Sequence, residues 1–199
     1  LARLTLTELV NHYADIIKQL PEKPIIIGHS LGGLITQILL NRGLAEAAVV
    51  IHSVPPQGVI PYEFSFLKST WRALALFTST DKTYLMDFKT WQYAFTNGMS
   101  LSAQQAAYEE NIIPESKTVT RGGLTSAAHV DFSKPHNPLL FIAGKADNII
   151  PASLNQRNFK RYTDKNSVTE FKLMDNNHYV LGLPNWQQTA GEVLNWIRK

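Results

Sequence analysis

The 199-residue sequence contains no cysteine. That excludes disulfide staples, thiolate nucleophiles and cysteine-held zinc, and it leaves the redox compartment otherwise unconstrained. No apolar run approaches the ~18 residues that a membrane-spanning helix needs. There is no signal-peptide pattern, no internal repeat and no low-complexity tract, though the first residues already look like the interior of a domain; a cytoplasmic location and no membrane span are the expectation. Charge is sparse, at 18% against 44% hydrophobic residues, which is ordinary for a globular domain with a sizeable core. The net charge is only +3, and part of it gathers in Arg157, Lys160, Arg161, Lys165 and Lys172, the first three on an expected helix. Such a run reads as a solvated face, and no nucleic-acid motif stands beside it. No metal and no cofactor are expected.

What is present starts with Ile25-Ile26-Ile27-Gly28-His29-Ser30-Leu31-Gly32-Gly33-Leu34. A β-branched run follows Pro24 and ends in Gly-x-Ser-x-Gly. Leu34, Ile35, Ile38 and Leu39 then recur at helical spacing until Gly43 stops them. This is the layout of a nucleophile elbow, in which a serine sits on a sharp strand-to-helix turn with its hydroxyl exposed. A serine hydroxyl is a weak nucleophile until a base and an oxyanion site accompany it. The turn aims the first helical amides at the reacting carbonyl, and Gly28 and Gly32 are expected to relieve crowding between strand and helix.

Elsewhere the chain alternates between strand and helix patterns. An amphipathic helix is predicted over 5–20, with Thr5 and Glu8 as a capping box. Strands are predicted at 24–28, 47–53, 139–143 and 168–174, and helices at 31–42, 152–162 and 185–198. His52 reads as a packed strand-end histidine rather than a ligand. The aromatic-rich stretch 61–130 interrupts the alternation with candidate helices at 65–78, 87–97 and 102–111, among them Trp71, Phe77, Trp91 and Phe95. It reads as a lid whose apolar inner face lines a pocket, dividing the chain into core (1–60), lid (61–130) and core (131–199). Strands alternating with helices imply an α/β fold, with a parallel sheet covered on both faces.

Ser30, Asp147 and His178 each stand just after a predicted strand. In a parallel sheet those loops share one edge, where ligands bind, so residues distant in sequence converge there. Other acids and bases are available: Asp131 and Asp175 could replace Asp147, and His12, His29, His129 and His136 could compete with His178. Asp131, His129 and His136 precede a strand and so fall at the wrong sheet end, while Asp175 is close enough in sequence to help orient His178. His29 either lines the pocket or packs behind the nucleophile.

Together, Gly28-His29-Ser30-Leu31-Gly32-Gly33, the strand-Gly-Asp-Pro pattern of residues 141–151 and Asn177-His178-Tyr179 resemble an α/β-hydrolase fold serine hydrolase of the lidded, bacterial esterase-like kind. The resemblance covers nearly the whole chain, although a glycine often stands where Asn177 precedes the histidine. It implies that Ser30 attacks a carbonyl, His178 moves the proton, Asp147 orients the imidazole and the Leu31 amide is one oxyanion donor. His29, Trp71, Trp91, Phe95 and Tyr179 become candidate substrate contacts. The family usually places further strands and an oxyanion loop, often His-Gly, before the first helix seen here. No His-Gly occurs in this sequence, so the second donor is expected from outside this chain, as if it were a fragment, with the strand at 24–28 left as an exposed edge.

The expected activity is cleavage of carboxylic esters with a small to medium apolar group. Lactonase, thioesterase, C–C hydrolase and acyltransferase chemistry stay open, as does a ligand-binding receptor of the same fold with little turnover.

Overall fold

The computed structural model describes residues 1–74 and 78–199. The end of the helix expected at 65–78, with Phe77, falls partly outside them. The elements run α1 (Leu6–Lys18), β1 (Ile25–His29), α2 (Leu31–Asn41), β2 (Ala47–Ile51), α3 (Phe64–Leu74), α4 (Phe88–Ala94), α5 (Leu101–Asn111), α6 (Lys117–Gly122), β3 (Leu139–Gly144), α7 (Ala152–Phe159), β4 (Thr169–Met174) and α8 (Trp186–Ile197). A short 3-10 turn at Ser126–Ala128 follows α6.

The strands form one all-parallel sheet in the order β1-β2-β3-β4. Alternation along β2 and β3 sorts their side chains between two layers. Ala48, Val50, Leu139 and Phe141 face Leu40 of α2 and Phe159 of α7, while Val49, Ile51, Leu140 and Ile142 face Val193 and Trp196 of α8. Both faces are therefore covered, which is why β2 and β3 read as unbroken apolar runs. Burying each such side chain is worth roughly 1.5–3 kcal/mol. β1 pairs only with β2, and its Ile25 and Ile27 are 42% and 52% exposed. Its sheet edge is thus open, and α2 covers only the opposite face through Ile26.

Local sequence explains the element ends. The Thr5 hydroxyl accepts from the Glu8 amide while the Glu8 carboxylate accepts from the Thr5 amide, so the capping box forms. β2 stops two residues earlier than the sequence suggests, because His52 adopts φ +48° and turns the chain out of the sheet. α7 stops at Phe159 rather than 162, which leaves Lys160 and Arg161 beyond its last turn. There Tyr162 turns inward onto Phe132 and Phe141 and donates its hydroxyl to Gln37. α6 was not legible as a helix; Ser116 caps it by accepting from the Val119 amide.

The helices α3 to α6 lie over the carboxyl ends of the strands and are tied to the loops there. Asn148 donates to the Tyr93 carbonyl (2.8 Å) and Asn97 to the Ala146 carbonyl (2.9 Å). Asn177 donates to the Asn97 carbonyl (2.9 Å), and the Tyr179 amide to the Phe95 carbonyl (3.1 Å). The segment from Tyr93 to Asn97 is thereby joined to the loops after both β3 and β4.

Candidate active site

Ser30 occupies the junction of β1 and α2. Its backbone lies at φ +55°, ψ −118°, a strained region for a residue with a side chain, and it is held there by its amide bonding to the Ile51 carbonyl and its carbonyl accepting from Gly33 and Val54. The space around the turn explains one glycine and corrects another. A Cβ at Gly28 would meet the Gly32 carbonyl oxygen at 2.2 Å, whereas a Cβ at Gly32 would meet nothing within 4 Å. The second obligatory close approach is instead at Gly33, against Ser53. Leu31 opens α2, so its amide has no acceptor within the helix and stands beside the serine.

The loop after β3 supplies Asp147 and the loop after β4 supplies His178. The His178 Nδ1–H donates to Asp147 Oδ2 at 2.7 Å, and His178 Nε2 accepts from the Ser30 hydroxyl at 3.0 Å. The carboxylate accepts only, so it fixes this tautomer. The other Asp147 oxygen accepts from the amides of Ile149 and Ile150, both at 2.8 Å. Asp147 and His178 are buried. Burial would raise the Asp147 carboxyl, but the charge and hydrogen bond of His178, reinforced by His52, outweigh it and hold the group well below the usual carboxylate range. The three predicted residues therefore form one hydrogen-bonded chain, able to draw the proton off the serine hydroxyl.

The competing residues lie elsewhere. Asp175 is exposed and pairs with Lys145 at 2.8 Å. Asp131 accepts from Ser133. His12 sits on α1 against Tyr13, and His136 Nδ1 is 2.8 Å from the Asn137 carbonyl oxygen. His129 lines a remote cavity of about 410 Å³ with Thr7 and Arg42. His29 does reach the site, where its Nε2–H donates to the His178 carbonyl at 3.0 Å. Burial, then repulsion from His178 and His52, pushes its pKa well below the ordinary histidine value, so it stays neutral at pH 7.

His52 is the residue that sequence reasoning placed correctly at a strand end but left without a role. It is fully buried, with Nδ1 2.9 Å from Asp147 Oδ2, off the line of a good hydrogen bond, and Nε2 3.1 Å from Asn176 Oδ1. Asp147 thus faces two imidazoles. Ring nitrogens of His29, His52 and His178 come within 4.8 Å of one another, a spacing that could hold a metal ion and that the sequence did not suggest. His178 bonds to Asp147, His29 bonds to the His178 carbonyl and His52 stands beside the Asp147 carboxylate.

Two cavities flank the Ser30–His178 pair, Ser30 lining one and His178 the other. The larger, about 590 Å³, is lined by Ser30, Leu31 and mostly apolar side chains, including Val59, Phe66, Val119 and Ile150. The smaller, about 370 Å³, is lined by His178 with four of the expected contacts: His29, Trp91, Phe95 and Tyr179. Phe95 stacks on Trp91 at 4.4 Å and sets its edge against the His178 ring at 4.8 Å. Trp71 is the exception. It is 67% exposed and lines neither cavity, because α3 turns Phe66, Ser69 and Ala73 inward and leaves Trp71 on its outer side.

The monoacylglycerol lipase of Paleococcus ferrophilus has a similar structure, with a TM-score of 0.70 at 20% identity over 97% of this chain and 75% of that one. A lipase-esterase related protein from Clostridium acetobutylicum gives 0.66 at 15% identity over 96% and 75%. A methylesterase from Arabidopsis gives 0.64 at 14% over 98% and 78%. At such identities the likeness is one of fold. No curated protein matches the sequence. Residues 1–191 match the model of the alpha/beta hydrolase family, and with the fold and the elbow already described the chain belongs to that family.

Proposed function

We propose that this protein is a serine hydrolase that cleaves carboxylic esters through an acyl-enzyme. The observation that carries the reading is the chain from Ser30 through His178 to Asp147, at 3.0 and 2.7 Å, opening onto a large apolar cavity. Ser30 Oγ bonds to the ester carbonyl carbon as its proton passes to His178 Nε2. The imidazolium then gives that proton to the departing alkoxide, and the carbon–oxygen bond of the ester breaks. Water repeats the cycle, releasing the acid and restoring Ser30. Asp147 orients His178 and stabilises its charged form, and the Leu31 amide donates to the oxyanion. The apolar acyl group, small to medium in size, occupies the larger cavity, with residues 61–130 as its lid.

A fluorophosphonate probe should label the protein at Ser30 and block hydrolysis of p-nitrophenyl butyrate. Ser30→Ala should lose the label and at least about 10³-fold in rate. Undiminished hydrolysis by the folded Ser30→Ala protein would overturn the reading.

A further inference from the structure

Neither cavity at the site is lined by a lysine or arginine, and together they carry one carboxylate, Glu115. Glu115 stands where the two meet, since it lines both, as do Met86, Phe95 and Ile113. The bridge between Tyr84 and Glu115, closed by backbone bonds of 2.9 and 2.7 Å, fixes its position on the wall. Its carboxylate makes no hydrogen bond or ion pair with a described residue. Glu115 is exposed to water through the open cavity, although protein atoms crowd one side of it. That crowding raises its carboxyl, and the nearby His178 opposes the rise. A hydrated carboxylate on such a wall is available to a group of opposite charge that enters the cavity.

The direction of the chemistry decides which part of a substrate would do so. His178 hands its proton to the leaving alkoxide, so the alcohol portion must lie on the His178 side, in the smaller cavity. The acyl portion stays with Ser30 and Leu31 in the larger one. The smaller cavity pairs Glu115 with the aromatic rings of Trp91, Phe95 and Tyr179. A carboxylate beside aromatic surface is the combination that favours an ammonium group over a neutral group of equal shape.

We infer that the smaller cavity is a cation subsite, with Glu115 selecting esters whose alcohol portion carries an ammonium group. This rests on the hydrolase reading for which portion of the substrate enters, but the subsite itself is testable without turnover.

Butyrylcholine and its uncharged carbon isostere, 3,3-dimethylbutyl butyrate, share shape and acyl group. The intact protein should favour butyrylcholine in kcat/KM by about tenfold, and Glu115→Gln should bring that ratio close to one. Equal turnover of the two esters by the intact protein, or an unchanged ratio in a folded Glu115→Gln variant, would overturn the inference. Calorimetric titration of Ser30→Ala protein with both esters supplies the second measurement. Preferential binding of butyrylcholine, lost in the Ser30→Ala, Glu115→Gln double variant, supports the subsite even if no ester is hydrolysed; in that case only the hydrolase reading fails. Equal binding of the two esters refutes the subsite whatever the turnover.

Discussion

Asp147 accepts more hydrogen bonds than the other residues of the site, from two amides on one oxygen and from His178 on the other, with His52 standing close by. In the proposed mechanism Asp147→Asn should lower kcat about 10⁴-fold by favouring the wrong imidazole tautomer, with KM changed far less. The same residue sets an acid-dependent part of stability. Its folded carboxyl titrates well below the unfolded value, so its contribution is full above about pH 4 and fades as pH falls toward the folded value. The stability gap between the native protein and Asp147→Asn, read by urea unfolding, should therefore be widest near neutrality and shrink below about pH 4; a gap independent of pH would contradict this. Asp147 and His178 were legible because the end of a parallel strand is a topological address that sequence periodicity reveals. His52 held the same kind of address, but its role depends on a left-handed backbone and on the rotamer of a residue 95 positions away, neither of which leaves a mark in the sequence.

Among the elements, β1 shows most clearly what a strand's pattern can and cannot foretell. Three successive isoleucines announced a strand apolar on both faces, expected to stand as an exposed edge, and β1 forms at that place. Ile25 and Ile27 stand exposed at an edge with no second strand partner among the described residues, an arrangement that invites pairing with another chain. Ile27→Lys should lower self-association in sedimentation velocity, while changing stability by no more than about 0.5 kcal/mol, since the side chain is already half in water. Unchanged association would mean that the edge is not sticky. The helices α1, α2 and α8 were legible because each carries a long apolar stripe that meets the core. In α3 the same logic misled. Its inner face is drawn by Phe66, Ser69 and Ala73, so the largest aromatic on the helix, Trp71, is the one turned outward. α6 spans six residues, too few to show a period, and only the Ser116 cap marks its start.

At the scale of the whole molecule, the sheet presents four loops at the carboxyl ends of its strands and the helices α3 to α6 roof them, leaving the larger cavity between roof and sheet. If that cavity holds the acyl group, filling it should shorten the chain that fits. Val119→Phe, a change on the cavity wall, should cut kcat/KM for p-nitrophenyl decanoate by on the order of tenfold more than for the butyrate. A chain-length profile identical to that of the native protein would place the acyl group elsewhere, and a thermal melt separates this from overpacking, which costs typically about 1–3 kcal/mol. The bonds from Asn148, Asn97, Asn177 and Tyr179 have a consequence for timing. They run between the roof and the two loops that carry the acid and the histidine, so the roof cannot lift near Tyr93–Asn97 without tugging on Asp147 and His178. In the proposed mechanism, lifting the roof there would loosen the acid and the histidine, and the serine would be disarmed for as long as it stayed open.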